Sequence, residues 1–238
     1  MTASVPQVSV VIPVYNEESI LEAAIEGLIE GMRAKGRSFE ILISENGSTD
    51  RTKEIAERLA EVHDEVRALC SDAPDYGAAL KRGILAAQGE YVVCEEIDLC
   101  HIGFQDRALR ILESGAADLV VGSKAAPGAR DRRPPFRRVA TRVINGLLRA
   151  TLDFTGTDTH GLKAFRRQTL LPIVHQCVVT RDMFASEFVI RAERAGILFL
   201  EIPVDIEEKR PPSIRLTRRV PNVLKNLAVL IWEIRVKG

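Results

Sequence analysis

Acidic side chains are bunched directly after an apolar run in the middle of this chain. The run Tyr91–Cys94 (YVVC) is followed by the sequence EEID, which contains Glu96 and Asp98. Like charges held together raise one another's pKa unless a cation neutralises them. On an extended backbone, residues two apart point to the same face, and two carboxylates on one face suit Mg²⁺, which proteins hold with one or two carboxylates plus substrate phosphates. Taken alone, the cluster fits a solvated acidic turn equally well.

The elements that would position this cluster are short apolar runs alternating with segments of helical periodicity. Runs at 8–12, 40–44, 66–70, 91–94 and 119–122 predict strands. Apolar spacing after Ser19 predicts a helix that Ser19 caps, and further helices are predicted near 55–62 and 76–87. This alternation is typical of an α/β fold with a doubly wound, mostly parallel sheet flanked by helices. In such sheets ligands bind outside the carboxyl ends of the strands.

The loops that follow these strands carry polar residues suited to a nucleotide. Tyr15 offers a flat face for stacking, and a carboxylate in the second loop can accept N–H groups from a nucleobase. The sequence GSTD at 47–50 also suits a turn and a helix cap. The four loops are PVYNEE at 13–18, ENGSTD at 45–50, DYG at 75–77 and EID at 96–98. Their order along one sheet edge predicts a nucleotide-binding site.

Charge is distributed unevenly over the 238 residues, although the net charge is zero. Residues 1–123 contain 11 basic and 22 acidic residues, whereas residues 124–238 contain 22 basic and 11 acidic residues. Basic clusters at 124–149 and 209–219 attract phosphates or anionic lipids. Aromatic residues make up 5% of the chain and do not interleave with the arginines, which disfavours nucleic acid as a partner.

The remaining composition predicts a cytoplasmic protein. The four cysteines form no C-x-x-C pair, the first residues lack a signal-peptide pattern, and no apolar run approaches the ~20 residues that span a bilayer. The last predicted helix places apolar residues on one face with basic residues around them. That face suits a membrane interface or packing on the domain core, and the sequence leaves both open. Its apolar residues are Val220, Val223, Leu224, Leu227, Leu230, Ile231 and Ile234.

The loop motifs, together with GAALKRGILAAQGEYVV at 77–93, resemble family 2 glycosyltransferases of the GT-A fold. The motifs VGSK at 121–124, DTHGLKAFR at 158–166 and GILFLEIPV at 196–204 resemble the polyprenyl-phosphate sugar transferases of the dolichol-phosphate mannose synthase type. The resemblance covers nearly the whole chain. It implies one GT-A domain over 1–238, with a Rossmann-like nucleotide-sugar half at 1–123 and an acceptor half at 124–238 that ends in the basic amphipathic helix.

The resemblance also implies a role for each matched position. Glu96 and Asp98 match a D-x-D motif that holds Mg²⁺ or Mn²⁺, Asp98 counts among the catalytic residues, and Asp158 matches an acidic residue often assigned as the catalytic base. The implied nucleotide-binding residues are Pro13, Tyr15, Glu17, Glu45, Gly47, Ser48 and Asp75. The acceptor-binding residues expected in the basic half are Lys124, Arg130, Arg210 and Arg215.

The activity implied is inverting, metal-dependent transfer of a sugar from a nucleotide diphosphate sugar to a polyprenyl (dolichyl or undecaprenyl) phosphate. It would take place at the cytoplasmic membrane face, with the protein peripheral to the membrane. The sequence departs from the family pattern at Glu96, where aspartate is usual, and at Glu45-Asn46, where paired aspartates are usual. A soluble or cell-envelope glycan acceptor and a non-catalytic nucleotide-sugar-binding module remain alternatives. A homo-oligomer or a membrane-anchored partner subunit is compatible with the chain.

Overall fold

One seven-stranded sheet organises the chain in the computed structural model, which describes residues 5–206 and 216–237, the latter from Lys225 onward with side chains. The strands are β1 Val8–Val14, β2 Phe39–Glu45, β3 Val66–Leu69, β4 Tyr91–Cys94, β5 Leu119–Ser123, β6 Leu162–Arg166 and β7 Phe199–Pro203. The helices are α1 Leu21–Ala34, α2 Thr52–Val62, α3 Tyr76–Ala86, α4 Ile102–Glu113, α5 Pro135–Leu152, α6 Arg167–Gln176, α7 Phe184–Arg194 and α8 Leu216–Arg235, with a 3₁₀ turn at Arg181–Met183.

The sheet has the strand order β3-β2-β1-β4-β6-β5-β7. Strands β1 to β4 pair in parallel, and β5 pairs in parallel with β7. Strand β6 lies antiparallel between β4 and β5. The carboxyl ends of six strands therefore meet the start of β6 at one edge, and the predicted mostly parallel, doubly wound α/β sheet is confirmed.

Both faces of the sheet are buried, which explains why its strands are nearly continuous apolar runs. Alternate residues of β1 enter different cores: Val10 and Ile12 pack with α1, α2 and α4, whereas Val11 packs with α3 and with α5 to α8. The side-chain period of two along a strand produces this division. The five strands predicted in the first half are confirmed within a few residues.

The start of α1 differs from the prediction. Ile20, not Ser19, occupies the N-cap position, and no side chain caps the helix. The carbonyl of Glu17 instead accepts the N–H groups of Ile20 and Leu21, at 3.1 and 3.0 Å. A backbone carbonyl of the preceding loop thus accepts N–H groups at the start of α1, the role expected of the serine side chain. At α2 the N-cap residue is Arg51, which also makes no side-chain cap, but Asp50 just before it accepts the Thr52 N–H of the first turn at 2.9 Å through Oδ1.

Helix α8 packs its apolar face on the domain. Leu227, Leu230 and Ile234 are at most 5% exposed and belong to the core beside α5 to α7. The interpretation of this face as a membrane surface is wrong for these residues, because the core already covers it. Val220, Val223 and Leu224 lie outside the residues whose side chains are described. Within the described ranges, no helix combines the length and hydrophobicity needed to cross a membrane.

Candidate active site

The loops at the carboxyl edge of β1 and β2 are joined by side-chain hydrogen bonds. Ser48 Oγ accepts the Asn16 N–H at 3.0 Å, and Asn16 Oδ1 accepts the Thr49 N–H at 2.8 Å. Thr52 Oγ1 accepts the Glu17 N–H at 2.7 Å. Asn16 has a φ of 55°, a left-handed conformation that asparagine tolerates better than most residues. The two loops therefore form one cross-braced unit.

The predicted nucleotide residues of this unit differ in accessibility. Tyr15, Glu17, Gly47 and Ser48 are partly accessible, whereas Pro13 is buried within β1 opposite Ser44. Gly47 has a φ of 68°, and a Cβ there would lie 2.8 Å from the Ala73 carbonyl carbon. Only glycine fits such a position, so the loop after β2 passes close to the loop after β3.

Glu45 ends β2 as a fully buried carboxylate. Its Oε1 accepts the Ser48 N–H at 2.6 Å, whereas its Oε2 is buried and has no hydrogen-bond partner in the structure. A buried acceptor without a donor is unfavourable by about 1–3 kcal/mol. Glu45 therefore has one oxygen that shapes the loop and one that is left without a donor.

Asp75 links the start of α3 to two other segments through hydrogen bonds. Its Oδ1 caps α3 through the Ala78 N–H at 2.9 Å and also accepts the Arg181 N–H at 2.6 Å. Its own N–H donates to Asn46 Oδ1 at 2.7 Å. Asn46, which replaces an aspartate of the family pattern, thus ties the loop after β2 to the start of α3. The side chain of Asp75 is already engaged on Oδ1, and its predicted contact with a nucleotide stays a prediction.

The acidic cluster after β4 forms a turn. The Glu96 carbonyl accepts the Leu99 and Cys100 N–H groups at 2.9 and 3.1 Å. The expected extended backbone between Glu96 and Asp98 is therefore wrong. The turn leaves Glu96 exposed and Asp98 partly exposed. The two carboxylates remain close enough to interact, because Asp98 raises the pKa of Glu96.

Glu95 has the opposite environment from its neighbour. It is 1% exposed, and its carboxylate accepts Gln105 Nε2 at 2.9 Å and the His101 N–H at 3.2 Å. Burial raises the pKa of Glu95 to about 7. Since the carboxylate holds α4 and the loop before it, Glu95 anchors the turn that presents the next three residues.

Glu96 is solvent-accessible, but protein surrounds it closely. The resulting desolvation is the largest cause of its raised pKa, and the Asp98 carboxylate raises this pKa further. The charges of Lys124 and Lys163 lower it. Within the described part of the chain, the carboxylates of Glu96 and Asp98 form no side-chain hydrogen bond or ion pair. Two accessible carboxylates that repel each other and lack partners fit a divalent cation.

A metal ion at this turn would need ligands beyond the two carboxylates. Within the described ranges, no group of three or more His, Cys, Asp or Glu residues is arranged to hold a metal ion. That finding agrees with Mg²⁺ chemistry, in which one or two carboxylates are completed by substrate phosphates and water. The residues thus fit a metal that binds together with a diphosphate better than one that binds alone.

A buried ion pair lies behind the acidic turn. Lys124 Nζ, just after β5, is 2.7 Å from Asp158 Oδ2, and the two side chains are 7% and 0% exposed. Asp158 Oδ1 also accepts the His160 N–H at 2.9 Å. Burial alone would raise the pKa of Asp158, but the Lys124 ammonium outweighs it and holds that pKa below the ordinary 3.8. Asp158 is therefore an ionised, enclosed carboxylate, which favours positioning of Lys124 over proton transfer.

Lys163 was not singled out by the sequence analysis. It lies on β6 between Cys94 of β4 and Val121 of β5, is 3% exposed, and donates from Nζ to the Gly161 carbonyl at 2.7 Å. Burial lowers its pKa, and the charges of Asp158 and Glu96 partly restore it. The signal available in the sequence was a lysine inside the apolar strand LKAFR.

The segment before β6 is fixed by Glu201 of β7, which was also missed. Its carboxylate accepts the Thr157 N–H at 2.8 Å and the Asp158 N–H at 3.0 Å. Gly161 lies so near β5 that a Cβ would be 1.8 Å from the Gly122 carbonyl oxygen. These contacts fix Asp158 against β5, where it meets Lys124.

A cavity of about 250 Å³ opens beside Lys124. Its lining residues are Lys124, Ala125, Ala126, Ala129, Asp131, Arg138, Thr141 and Arg142. Lys124 is already paired with Asp158, but Arg138 and Arg142 against the single carboxylate of Asp131 still favour an anionic occupant. Predicted Arg130 is exposed near this cavity and donates its backbone N–H to Asp205 at 2.9 Å. Predicted Arg210 and Arg215 lie outside the described residues.

Comparison with known sequences gives a consistent assignment. Residues 9–172 match the family described as Glycosyl transferase family 2. The chain is 32% identical to glycosyltransferase AglD of Haloferax volcanii over 99% of this chain and 39% of that protein. It is 33% identical to an uncharacterized glycosyltransferase of Mycobacterium tuberculosis, over 83% of this chain and 84% of that protein.

A further relative is the undecaprenyl-phosphate 4-deoxy-4-formamido-L-arabinose transferase of Pectobacterium carotovorum. It is 29% identical over 74% of this chain and 53% of that protein. The chain thus spans 39% of AglD and 53% of the arabinose transferase.

Solved structures show the same architecture. Glucosyl-3-phosphoglycerate synthase from Mycobacterium tuberculosis, in complex with Mn²⁺, UDP and phosphoglyceric acid, aligns with a TM-score of 0.68 at 21% identity over 95% of this chain and 78% of that chain. The same enzyme with Mn²⁺ and UDP-glucose gives 0.67 at 20% identity over 96% and 79%. At this identity the likeness establishes the GT-A fold.

Proposed function

Because this chain belongs to glycosyl transferase family 2, we propose that it transfers a sugar, with inversion, from a nucleoside diphosphate sugar to a polyprenyl phosphate. One observation carries the proposal: the acidic turn and the basic cavity adjoin. Lys124 lines the cavity, and its charge also lowers the pKa of Glu96 in the acidic turn. A place suited to a metal-bound diphosphate therefore lies beside a place suited to an anionic acceptor.

The donor would bind in the cross-braced loops after β1 and β2. Glu45 Oε2 is the acceptor that a nucleobase N–H would satisfy, since Oε1 is held by Ser48. Tyr15 and Glu17 are accessible on the neighbouring loop. This arrangement supports base recognition by Glu45 at the position where the family usually has aspartate.

Glu96 and Asp98 would hold Mg²⁺ or Mn²⁺. A bound divalent ion supplies Lewis-acid stabilisation of the negative charge that builds on a departing diphosphate. Glutamate at position 96 keeps the hard oxygen ligand that this role needs. The Mn²⁺ in the structural neighbours supports a divalent metal in this fold.

The acceptor would bind by its phosphate in the cavity lined by Lys124, Arg138 and Arg142. Such a phosphate is ionised near neutral pH and needs no strong base. We therefore assign Asp158 a positioning role through its ion pair with Lys124. The similarity to the undecaprenyl-phosphate arabinose transferase of Pectobacterium carotovorum supports a polyprenyl phosphate.

A soluble phosphate-bearing acceptor is the second candidate. The structural neighbour crystallised with phosphoglyceric acid favours it, and the cavity chemistry serves either acceptor. We place the reaction at the cytoplasmic face of a membrane, with the protein peripheral to it.

The metal assignment is tested by thermal shift with UDP and GDP, each with and without Mn²⁺. A ligand present at 100 times its Kd adds about 2.7 kcal/mol to the free energy of unfolding. We expect Asp98→Asn to abolish the extra stabilisation that Mn²⁺ gives. Asp64→Asn is the matched control, because Asp64 is exposed and precedes β3, at the opposite edge of the sheet. Full retention of the metal-dependent shift in Asp98→Asn would overturn the assignment.

The acceptor is tested by turnover. Nucleotide sugars are supplied with a short-chain polyprenyl phosphate in detergent, or with phosphoglycerate, and the products are separated by mass. Transfer to the lipid phosphate alone supports the first candidate, and transfer to phosphoglycerate alone replaces it with the second. Metal-dependent nucleotide binding without transfer to any acceptor would favour the non-catalytic module.

A further inference from the structure

The loop at 177–183, between α6 and α7, is held in place at both of its ends. Glu187, a fully buried residue of α7, accepts the Val178 and Val179 N–H groups through Oε2 at 2.9 and 2.6 Å. At the other end of the loop, the Asp182 carbonyl is 2.8 Å from Nε2 of the His160 ring and accepts its hydrogen bond. The backbone of this loop therefore has a fixed course.

The same loop joins the two halves of the candidate site. Asp75, which follows β3 in the nucleotide half, accepts the Arg181 N–H at 2.6 Å. His160, which bonds to the next residue of the loop, also donates its backbone N–H to Asp158 at 2.9 Å. Asp158 in turn pairs with Lys124 beside the basic cavity. Arg181 therefore lies between the loop after β3 and the segment that carries Asp158.

Arg181 has a backbone conformation that is unfavourable for an arginine. Its φ is 54°, in the left-handed region, where a Cβ comes too close to the following carbonyl oxygen. Among the other non-glycine residues with positive φ in the described ranges, Asn16 and Asp153 have short polar side chains that tolerate this region, and Cys100 lies in the acidic turn. Glycine would adopt the conformation of Arg181 without strain. A strained residue at a ligand-binding edge points to a role for its side chain.

No interaction of the Arg181 side chain among the described residues explains why arginine occupies this position. The side chain is exposed, and its guanidinium forms no hydrogen bond or ion pair within the described ranges. Arg191 of the following helix differs, because its Nε donates to the buried Glu187 at 2.8 Å. A guanidinium presents five N–H donors in a planar fork that matches the oxygens of a phosphate. The Arg181 side chain is thus available to an anionic ligand at this edge.

We propose that Arg181 binds the diphosphate of the sugar donor. The inference rests on the proposed function, because it requires a nucleoside diphosphate sugar at this edge of the sheet. Contacts between arginine and phosphate are charge-assisted and frequently bidentate, so they fix the orientation of the ligand as well as its position. The guanidinium also places positive charge where negative charge develops on the departing diphosphate. Arg181 thereby complements the metal ion that Glu96 and Asp98 are proposed to hold.

Other parts of the substrates fit Arg181 less well than the diphosphate does. The nucleobase is assigned to Glu45, which offers an acceptor that an arginine lacks. The acceptor phosphate is assigned to the cavity that Arg138 and Arg142 line, and Arg181 is not among the lining residues. The diphosphate is the anionic part of the donor that connects the nucleoside with the sugar. Its place between the two matches the place of Arg181 between the two halves of the site.

Calorimetry of the full chain with UDP, GDP and inorganic diphosphate, each in the presence of Mn²⁺, provides the test. Arg181→Gly removes the guanidinium and suits the left-handed φ. It should weaken the binding of the preferred nucleoside diphosphate, and of inorganic diphosphate, by about tenfold to a hundredfold. Its Tm should stay at the wild-type value or rise by about 2–4 °C, because the strain is relieved. Arg181→Asn, which also tolerates this φ, should bind as weakly and controls for a loop loosened by glycine. Arg194→Ala is the matched control, because Arg194 is likewise exposed and ends α7, the helix that begins beside Arg181.

Each outcome decides for or against Arg181. Weaker binding of both ligands in both variants, with stability retained and the control unchanged, supports the proposal. Unchanged binding overturns it, as does a loss for the nucleoside diphosphate with inorganic diphosphate unaffected, which would assign Arg181 to the nucleoside. A lower Tm in both variants would show that the side chain serves the fold and would also overturn it. A wild type that binds neither UDP nor GDP with Mn²⁺ contradicts the proposed function itself, whereas wild-type binding that both variants retain contradicts only the role of Arg181.

Discussion

Substitution of Asp158 separates a catalytic base from a positioning residue. In Asp158→Asn the amide oxygen can still accept the His160 N–H, but the Lys124 ammonium loses its anionic partner at 2.7 Å in a site where both side chains are buried. Breaking a buried ion pair by removing one partner destabilises a protein by about 3–5 kcal/mol. For a chain of this size, such a loss lowers the Tm by roughly 6–20 °C.

The compensating variant is Asp158→Asn combined with Lys124→Met. It removes both charges and leaves two neutral groups of similar size. Since the penalty in the single variant comes from the unpaired ammonium, the double variant should recover a large part of the lost stability, with a coupling energy of about 1–3 kcal/mol. Urea denaturation of the wild type, both single variants and the double variant measures this coupling.

The pH dependence of the free energy of unfolding provides a second test of the ion pair between Lys124 and Asp158. Lys124 holds the pKa of Asp158 below its ordinary 3.8 in the folded state. A depressed carboxyl pKa contributes stability that is fully present above the unfolded-state value, about 3.9, and is lost as the pH falls through the folded-state value. The stability gap between wild type and Asp158→Asn should therefore be widest near neutral pH and should shrink below about pH 4.

The result that would refute this reasoning is a stable but inactive variant. If Asp158→Asn unfolds at the same urea concentration as wild type, while turnover is abolished and the double variant restores nothing, the carboxylate serves the reaction directly. A catalytic base would also leave its pKa in the pH profile of kcat. Positioning through Lys124 predicts instead that KM for the acceptor rises, because Lys124 lines the cavity that we propose for the acceptor.

Two further predictions concern buried carboxylates. Glu45→Gln keeps an oxygen for the Ser48 N–H but weakens the acceptor offered by Oε2. Calorimetry should therefore show that the preferred nucleoside diphosphate binds about 1–3 kcal/mol more weakly, whereas the binding of inorganic diphosphate is unchanged. An equal loss of affinity for both ligands would show that Glu45 acts only on the loop. Glu95 has a pKa raised from 4.5 to about 7, so wild-type stability should decline as the pH rises from about 5 to 7, where the unfolded chain is ionised and the fold is not. Glu95→Gln should remove that decline in urea unfolding at pH 5 and pH 8, and parallel slopes for both proteins would show that Glu95 does not titrate as described.

The sheet and its functional edge could be predicted because strong local signals specify them. The apolar runs of β1 and β4 are long enough to indicate strands without any knowledge of their neighbours. Parallel strands place their carboxyl ends together, so the loops at 13–18, 45–50 and 96–98 had to meet once the strands were assigned. The confirmed sheet follows from that chain of reasoning.

Contacts between distant segments could not be predicted from local sequence patterns. The antiparallel direction of β6 depends on its pairing with β4 and β5, and the pattern LKAFR carries no signal of direction. The apolar face of α8 has the same spacing whether it meets a core or a membrane, and only the fold shows that Leu230 is buried. The ion pair of Lys124 with Asp158 joins residues 34 positions apart.

The electrostatics of the site follow from the order in which charges lie at the sheet edge. Desolvation by the surrounding protein and the charge of Asp98 raise the pKa of Glu96, whereas Lys124 and Lys163 lower it. Without a cation the turn therefore holds charge that the protein offsets only in part. A divalent ion at the turn would neutralise the two carboxylates, and diphosphate oxygens could fill its remaining coordination positions. We therefore expect the proposed site to bind metal and nucleotide together more tightly than either one alone.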